Sequence, residues 1–190
     1  MIGTDGDMLL DALRGAGVDT SLIQVNGEDS GQAIIQIDPH AQNCIIIIGG
    51  ANRRISPEYI DHVLSQFHEG DILLLQNEIS SNGYAISQAC EKKMTIVLNP
   101  SPYDEKLAEC DYSKVSIFMV NEVEGRLMAG CESEDPQVIR ECLKKAYPAA
   151  AFVLTLGEAG SCYFKGEEEY FQDLRPRNED RRGWALCKSH

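Results

Sequence analysis

The sequence predicts an α/β domain built on a mostly parallel sheet, and three observations lead there. Short runs such as 72–75, 94–98 and 150–156 carry apolar side chains at successive positions, the pattern of strands buried on both faces. These runs alternate with amphipathic segments of helical period, at 80–92, 122–129 and 136–147. The chain has 190 residues, within the usual size of one domain and enough to bury a real core.

The elements follow in order. Leu9, Leu10, Leu13 and Ala16 recur at helical spacing over 8–16, and Gly17 is well placed as a left-handed terminator. A domain seldom starts with an uncovered amphipathic helix, so its packing partners are expected upstream. Residues 31–37 and 43–48 are rich in Ile and are joined by an Asp-Pro-His-Ala-Gln turn, which fits a hairpin. After the Gly-Gly-Ala-Asn run at 49–52, Ser56 caps a helix with Pro57 at its first position; Tyr59, Ile60, Val63, Leu64 and Phe67 form the expected buried stripe.

From there strands and helices alternate. Strands are expected at 71–76, 94–98, 115–120 and 150–156, and helices at 80–92, 122–129 and 136–147, the last capped by Asp135. A short helical piece is expected near 104–110, and an antiparallel pair at 161–164 and 169–171. From Arg175 onward no useful periodicity remains, and these sixteen residues hold five of the seventeen Lys and Arg. Residues 177–190 therefore read as an unrelated, disordered tail.

Charge and cysteine usage exclude several classes. The formal net charge is −13 and the basic residues do not cluster before the tail, so nucleic acid and anionic membranes are poor partners. Seven cysteines, odd in number and scattered, show no zinc or redox spacing and read as reduced thiols of a cytoplasmic protein. The apolar runs are too short to span a bilayer, and no signal pattern opens the chain.

Open α/β sheets bind ligands outside the carboxyl ends of their strands, and four successive strands here turn polar at that edge. Their ends carry Glu78, then Asn99, then Asn121 and Glu124, then Thr155 and Gly157. Glu122 and Glu124 also lie in the first turn of a helix, where the dipole favours negative charge, so plain helix stabilisation is the competing account for Glu124. Gly157 and Gly160 stand three apart and can admit backbone N–H groups to a phosphate, although on this motif alone an ordinary glycine-rich hairpin turn is the favoured account. Asn99-Pro100-Ser101-Pro102 must turn sharply and shapes the crevice wall. The Gly-Ala-Gly-Val-Asp run at 15–19 closes a helix, so its amides point the wrong way for an anion site.

In order and spacing, the segments GDMLLDALRGAGVDTS, GQAIIQID, QNCIIIIGGAN, LLLQNEIS, IVLNPSP, VNEVE and VLTLGEAG resemble the PfkB carbohydrate kinases, and the ribokinase branch in particular. The resemblance covers about residues 2–176. It implies a three-layer α/β/α, ribokinase-like fold with a small β-hairpin lid at about 29–50 that closes over the sugar and commonly pairs two subunits. By the same resemblance, Glu78 and the lid residues Ala33 and Ile35 would face the sugar. Asn121 and Glu124, the family's Asn-x-x-Glu motif, would organise Mg²⁺ and phosphates, and Thr155, Gly157 and Gly160 would line the ATP. The family transfers a phosphoryl group from ATP to a primary hydroxyl, with an Asp general base and an anion hole at a helix N-terminus.

That base belongs to a Gly-Ala-Gly-Asp segment, which occurs nowhere in this chain; after the last strand stands RNEDRRGWALCKSH, which resembles out-of-frame sequence. The family's Gly-Gly-Lys-Gly sugar loop is also missing. Two readings follow. One is a ribokinase-type sugar kinase represented by an inactive fragment that lacks the base and anion hole. The other is a non-catalytic nucleotide-binding or dimerisation module derived from such a kinase.

Overall fold

A computed structural model describes residues 1–38, 43–104, 107 and 110–173. Helix α1 (Asp7–Gly15) ends where Gly17 takes a left-handed φ of 78°, which lets the Val18 amide donate back to the Leu13 carbonyl at 3.0 Å. No residue of α1 is buried: Met8 is 77% and Leu9 45% exposed, while Leu10 and Leu13 are half-buried. The segment around it folds back through a parallel bridge between Ile2 and Val25.

Strands β1 (Gln32–Ile37) and β2 (Asn43–Ile48) form the expected antiparallel hairpin; residues 39–42 of its turn lie outside the described residues. The register puts Ala33, Ile35, Ile37, Ile45 and Ile47 on one face and Ile34, Ile46 and Ile48 on the other. All of these side chains are exposed. A two-stranded ribbon has no interior of its own, so both faces remain apolar and open.

Helix α2 (Pro57–Leu64) starts as expected: the Ser56 hydroxyl accepts from the Tyr59 amide at 3.3 Å and Pro57 takes the first position. Ile60 and Leu64 are buried, and Tyr59, Val63 and Phe67 are half-buried. Then follow β3 (Ile72–Gln76), α3 (Asn82–Glu91), β4 (Thr95–Asn99), β5 (Ile117–Asn121), α4 (Glu122–Ala129), α5 (Pro136–Ala146), β6 (Ala151–Thr155), β7 (Ser161–Lys165) and β8 (Glu168–Gln172). Most of the helix expected near 104–110, and the whole tail 177–190, fall outside the described residues.

The six strands line up in chain order, β3 to β6 parallel and β7 and β8 antiparallel. Right-handed crossovers that always step the same way lay every crossover helix on the same side of a sheet. Core packing agrees: Ala85, Ile86 and Ala89 of α3, Met128 of α4 and Ile139 and Leu143 of α5 share one cluster with Ile96, Leu98, Phe118, Phe152 and Phe164. Across that face the register aligns Leu75, Leu98, Phe118, Phe152 and Phe164, and the three phenyl rings stack with centroids 5.2 Å apart.

The opposite face corrects one expectation. Continuous apolar strands implied cover on both sides, yet Ile72 and Leu74 are 66% and 65% exposed, Met119 is 38% exposed, and Val97, Ile117, Val153 and Tyr163 are half-buried. The fold is the expected three-layer type of α/β architecture, and the described residues hold its sheet and one of its helical layers. Among the described residues no helix is long and apolar enough to cross a membrane.

Candidate functional site

The register decides whether the polar strand ends share an edge. Gln76 pairs beside Asn99, Leu98 beside Phe118, and Asn121 beside Thr155, so the carboxyl ends of β3, β4, β5 and β6 form one rim. Glu78 follows two residues beyond β3 and is half-exposed. Asn99, Asn121 and Thr155 also alternate onto the uncovered face, because each is an even number of residues from an exposed or half-buried position of that face.

The loop carrying Glu78 is pinned from several sides. Asn77 is buried; its amide donates to Ser101 O at 3.2 Å and its Nδ2 to Pro102 O at 2.6 Å. Asn99 Oδ1 accepts from the Ser101 amide at 3.0 Å, so side chains from two strand ends shape the Asn-Pro-Ser-Pro turn, which contains a cis Ser101–Pro102 bond. Ser80 and Ser81 hydroxyls both donate to Ile55 O, and the Ser80 amide donates to Asn52 O at 3.0 Å. Asn82 Nδ2 donates to Gln76 O at 3.1 Å. Sequence reasoning had singled out Glu78 and Asn99 and missed Asn77, Ser80 and Asn82. The polar residues Asn77, Glu78, Ser80, Ser81 and Asn82, following one another where an apolar strand gives way to a helix, are the signal that could have found them.

The same loop meets the base of the hairpin. The Ala51 amide donates to Asp29 O at 2.9 Å, and at Gly50, with φ 47°, a Cβ would lie 2.4 Å from that carbonyl. Ser30 is buried, its hydroxyl accepting from the Gly3 amide and its own amide donating to the Asp5 carboxylate at 2.7 Å. That backbone hydrogen bond holds the Asp5 carboxyl below its usual range. Ala33 and Ile35 stand on one exposed face of the hairpin.

At the end of β5, Asn121 and Glu124 close a capping box. Asn121 Oδ1 accepts from the Glu124 amide at 2.8 Å, and Glu124 Oε2 accepts from the Asn121 amide at 3.0 Å. The competing account for Glu124 is therefore realised in full: the carboxylate is buried, at 7% exposure, and one oxygen serves the helix. Among the described residues no three His, Cys, Asp or Glu gather as a metal site. This donor set still suits Mg²⁺, which takes one or two carboxylates together with substrate phosphates in place of an all-protein cage.

Beside Asn121, the Thr155 hydroxyl donates to Val120 O at 3.4 Å. The loop that follows makes one 3₁₀ turn (Gly157–Ala159) and returns as β7. Gly160 has a cause inside the fold: φ is 93° and a Cβ would lie 2.1 Å from Gln172 O of β8. Gly157, at φ 54°, has nothing within 4 Å of such a Cβ, so its backbone is open to an approaching group.

Comparison with known proteins shows what the chain as a whole is similar to. A family model described as pfkB family carbohydrate kinase matches residues 1–178. Ribokinase of Haemophilus influenzae is 32% identical over 141 residues, which is 72% of this chain and 46% of that protein. Ribokinase of Staphylococcus aureus is 30% identical over 172 residues, 86% of this chain and 55% of that protein. The solved structure of Arabidopsis thaliana ribokinase complexed with ribose and ATP superposes with a TM-score of 0.74 at 26% identity, covering 94% of this chain and 61% of that one. The chain spans about half the length of the curated relatives it matches.

Proposed function

The chain belongs to the pfkB family of carbohydrate kinases, and from that premise we propose that its rim is the site of an ATP-dependent, ribokinase-type sugar kinase working in the cytoplasm. The observation that carries this reading is the alignment of four polar strand ends along one sheet edge. Glu78, with Ala33 and Ile35 from the hairpin, takes the ribose or related sugar. Thr155 and the Gly157–Gly160 loop take the nucleotide, and Asn121 orients its phosphates. Glu124 would hold Mg²⁺, and the ion when bound would supply charge neutralisation for the phosphates. The open backbone at Gly157 and the Mg²⁺-compatible donor set support this reading.

We further propose that this polypeptide does not itself turn over sugar. It contains no Gly-Ala-Gly-Asp, so neither the base for the hydroxyl proton nor the anion hole is supplied. It retains nucleotide binding and pairs with a second copy through the hairpin face bearing Ile34, Ile46 and Ile48, opposite the face assigned to sugar.

One preparation tests these statements. MgATP is expected to raise the melting temperature, with the gain lost in Glu124→Ala. Phosphorylation of D-ribose is expected to equal that of the Glu124→Ala control. A flat thermal response ends the nucleotide reading, and turnover above the control ends the inactive one. In sedimentation, Ile46→Asp is expected to convert a dimer to monomer; a wild-type monomer removes the pairing.

A further inference from the structure

A 3₁₀ turn (Gly50–Arg54) crosses the base of the hairpin and lays two polar side chains against it. Gly31 and Gly49 frame that base, and by the alternation along β1 Gly31 lies on the face of Ala33 and Ile35. Asn52 is half-buried against Gly31, its Nδ2 2.6 Å from where a Cβ would stand. The Arg53 side chain lies along Gly49, with Nε 3.1 Å and Cδ 3.3 Å from the corresponding position, so glycine is what admits it there. The Ser80 amide, donating to Asn52 O at 3.0 Å, ties this turn to the loop that carries Glu78. The neighbouring Arg54 is already engaged, its Nε donating to the Glu28 carboxylate at 2.7 Å. Among the described residues the Arg53 guanidinium, the Asn52 carboxamide and the Glu78 carboxylate have no such partner.

We propose that Asn52 and Arg53 select a sugar that carries a carboxylate, a sugar acid, over a neutral pentose. The inference rests on the sugar reading of Ala33, Ile35 and Glu78 and names the substrate class of that site. A guanidinium offers two parallel N–H donors that match the two oxygens of a carboxylate, and the Asn52 carboxamide adds a donor beside them. Glu78, an acceptor when ionised, is left for hydroxyl groups at the other end of the ligand. Charge decides between a carboxylate and a phosphate. Of the two arginines in the turn only Arg53 is unpaired among the described residues, and Glu78 already brings a negative charge to this side. A monoanion is neutralised by the one guanidinium, whereas a phosphate dianion leaves unbalanced negative charge next to Glu78.

The test is calorimetric titration of the full chain at low salt with D-ribonate, D-ribose and acetate, in wild type, Arg53→Gln and Arg53→Lys. Both variants alter an exposed side chain and are expected to melt as the wild type does. D-ribonate is expected to bind about fivefold more tightly than D-ribose, the scale of one partly exposed ion pair. Arg53→Gln is expected to abolish that advantage and leave ribose binding as it was, Arg53→Lys to keep part of it, and acetate to bind far more weakly than ribonate. Equal binding of ribonate and ribose by the wild type, or an advantage that survives in Arg53→Gln, overturns the proposal and leaves the sugar reading standing. Acetate binding as well as ribonate reduces Arg53 to an unselective anion contact and overturns it too. Binding of neither ribose nor ribonate ends the sugar reading itself, and the proposal with it.

Discussion

The two faces of the central sheet are written in nearly the same residues and meet opposite fates. On one, Leu98, Phe118, Phe152 and Phe164 are fully buried beneath α3, α4 and α5. On the other, Ile72 and Leu74 are about two-thirds exposed, although they alternate with Leu73 and Leu75 in the same strand. Composition alone does not decide burial; the direction in which the crossovers step decides it, since right-handed connections from β3 through β6 deliver every crossover helix to one side. The face left open carries Asn99, Asn121 and Thr155 at its polar edge, so the candidate site lies on the less protected half of the sheet.

The sharpest way to break this comparison is a matched pair of truncations. Phe152→Ala removes a stacked, fully buried ring and is expected to cost about 3 to 5 kcal/mol in denaturant unfolding. Leu74→Ala removes an apolar side chain that is already in water and is expected to change stability by about 0.5 kcal/mol or less. Comparable losses at the two positions would mean that the open face is covered in solution, and the contrast drawn here would fall.

Much of this was legible beforehand, for physical reasons that differ by element. Helix α4 and strand β2 were placed to the residue because each is bounded by strong local signals: an Asn-x-x-Glu box and a left-handed Gly for α4, and an Ile run next to a glycine pair for β2. The rim was legible because polar residues ended four apolar runs in succession. The bare face was not, since a strand reading Ile-Leu-Leu-Leu looks the same whether one or two layers cover it. The pinning of the Glu78 loop by Asn77 and Asn82 was also hidden, because it depends on which carbonyls of distant turns come within reach.

A smaller effect sharpens the rim's own ambiguity between helix cap and ligand site. Asn121→Ala removes the acceptor for the Glu124 amide and is expected to cost about 1 kcal/mol, with Asn121→Asp restoring most of it because Asp caps equally well. If Asn121 also orients phosphates, Asp restores stability without restoring the ATP-induced thermal shift, since a second negative charge now faces the phosphates. Full recovery of both by Asp would reduce Asn121 to a helix cap.

Another small effect is expected where the covered face runs out. Glu169 pairs beside Phe164 in the last strand pair, its side chain about a quarter exposed, and Lys144 and Arg140 of α5 converge on it. The hydrogen bond from Lys144 holds the Glu169 carboxyl below its ordinary value of 4.5, an effect that outweighs its partial burial. A carboxyl with a depressed folded-state pKa adds stability that is fully present above its unfolded value. That stability is lost as pH falls from there through the lower folded value. Glu169→Gln is therefore expected to lower stability at pH 7 by under about 1 kcal/mol, because the partly exposed pair is screened, and to flatten the fall in melting temperature below pH 4.5. High salt should shrink the difference at pH 7. An unchanged acid limb in Glu169→Gln would show that the Lys144 contact places no differential weight on the charged form. The edge of the covered layer would then be held by the Arg140 guanidinium, 5.1 Å from the Phe171 ring centroid, and by apolar contact alone.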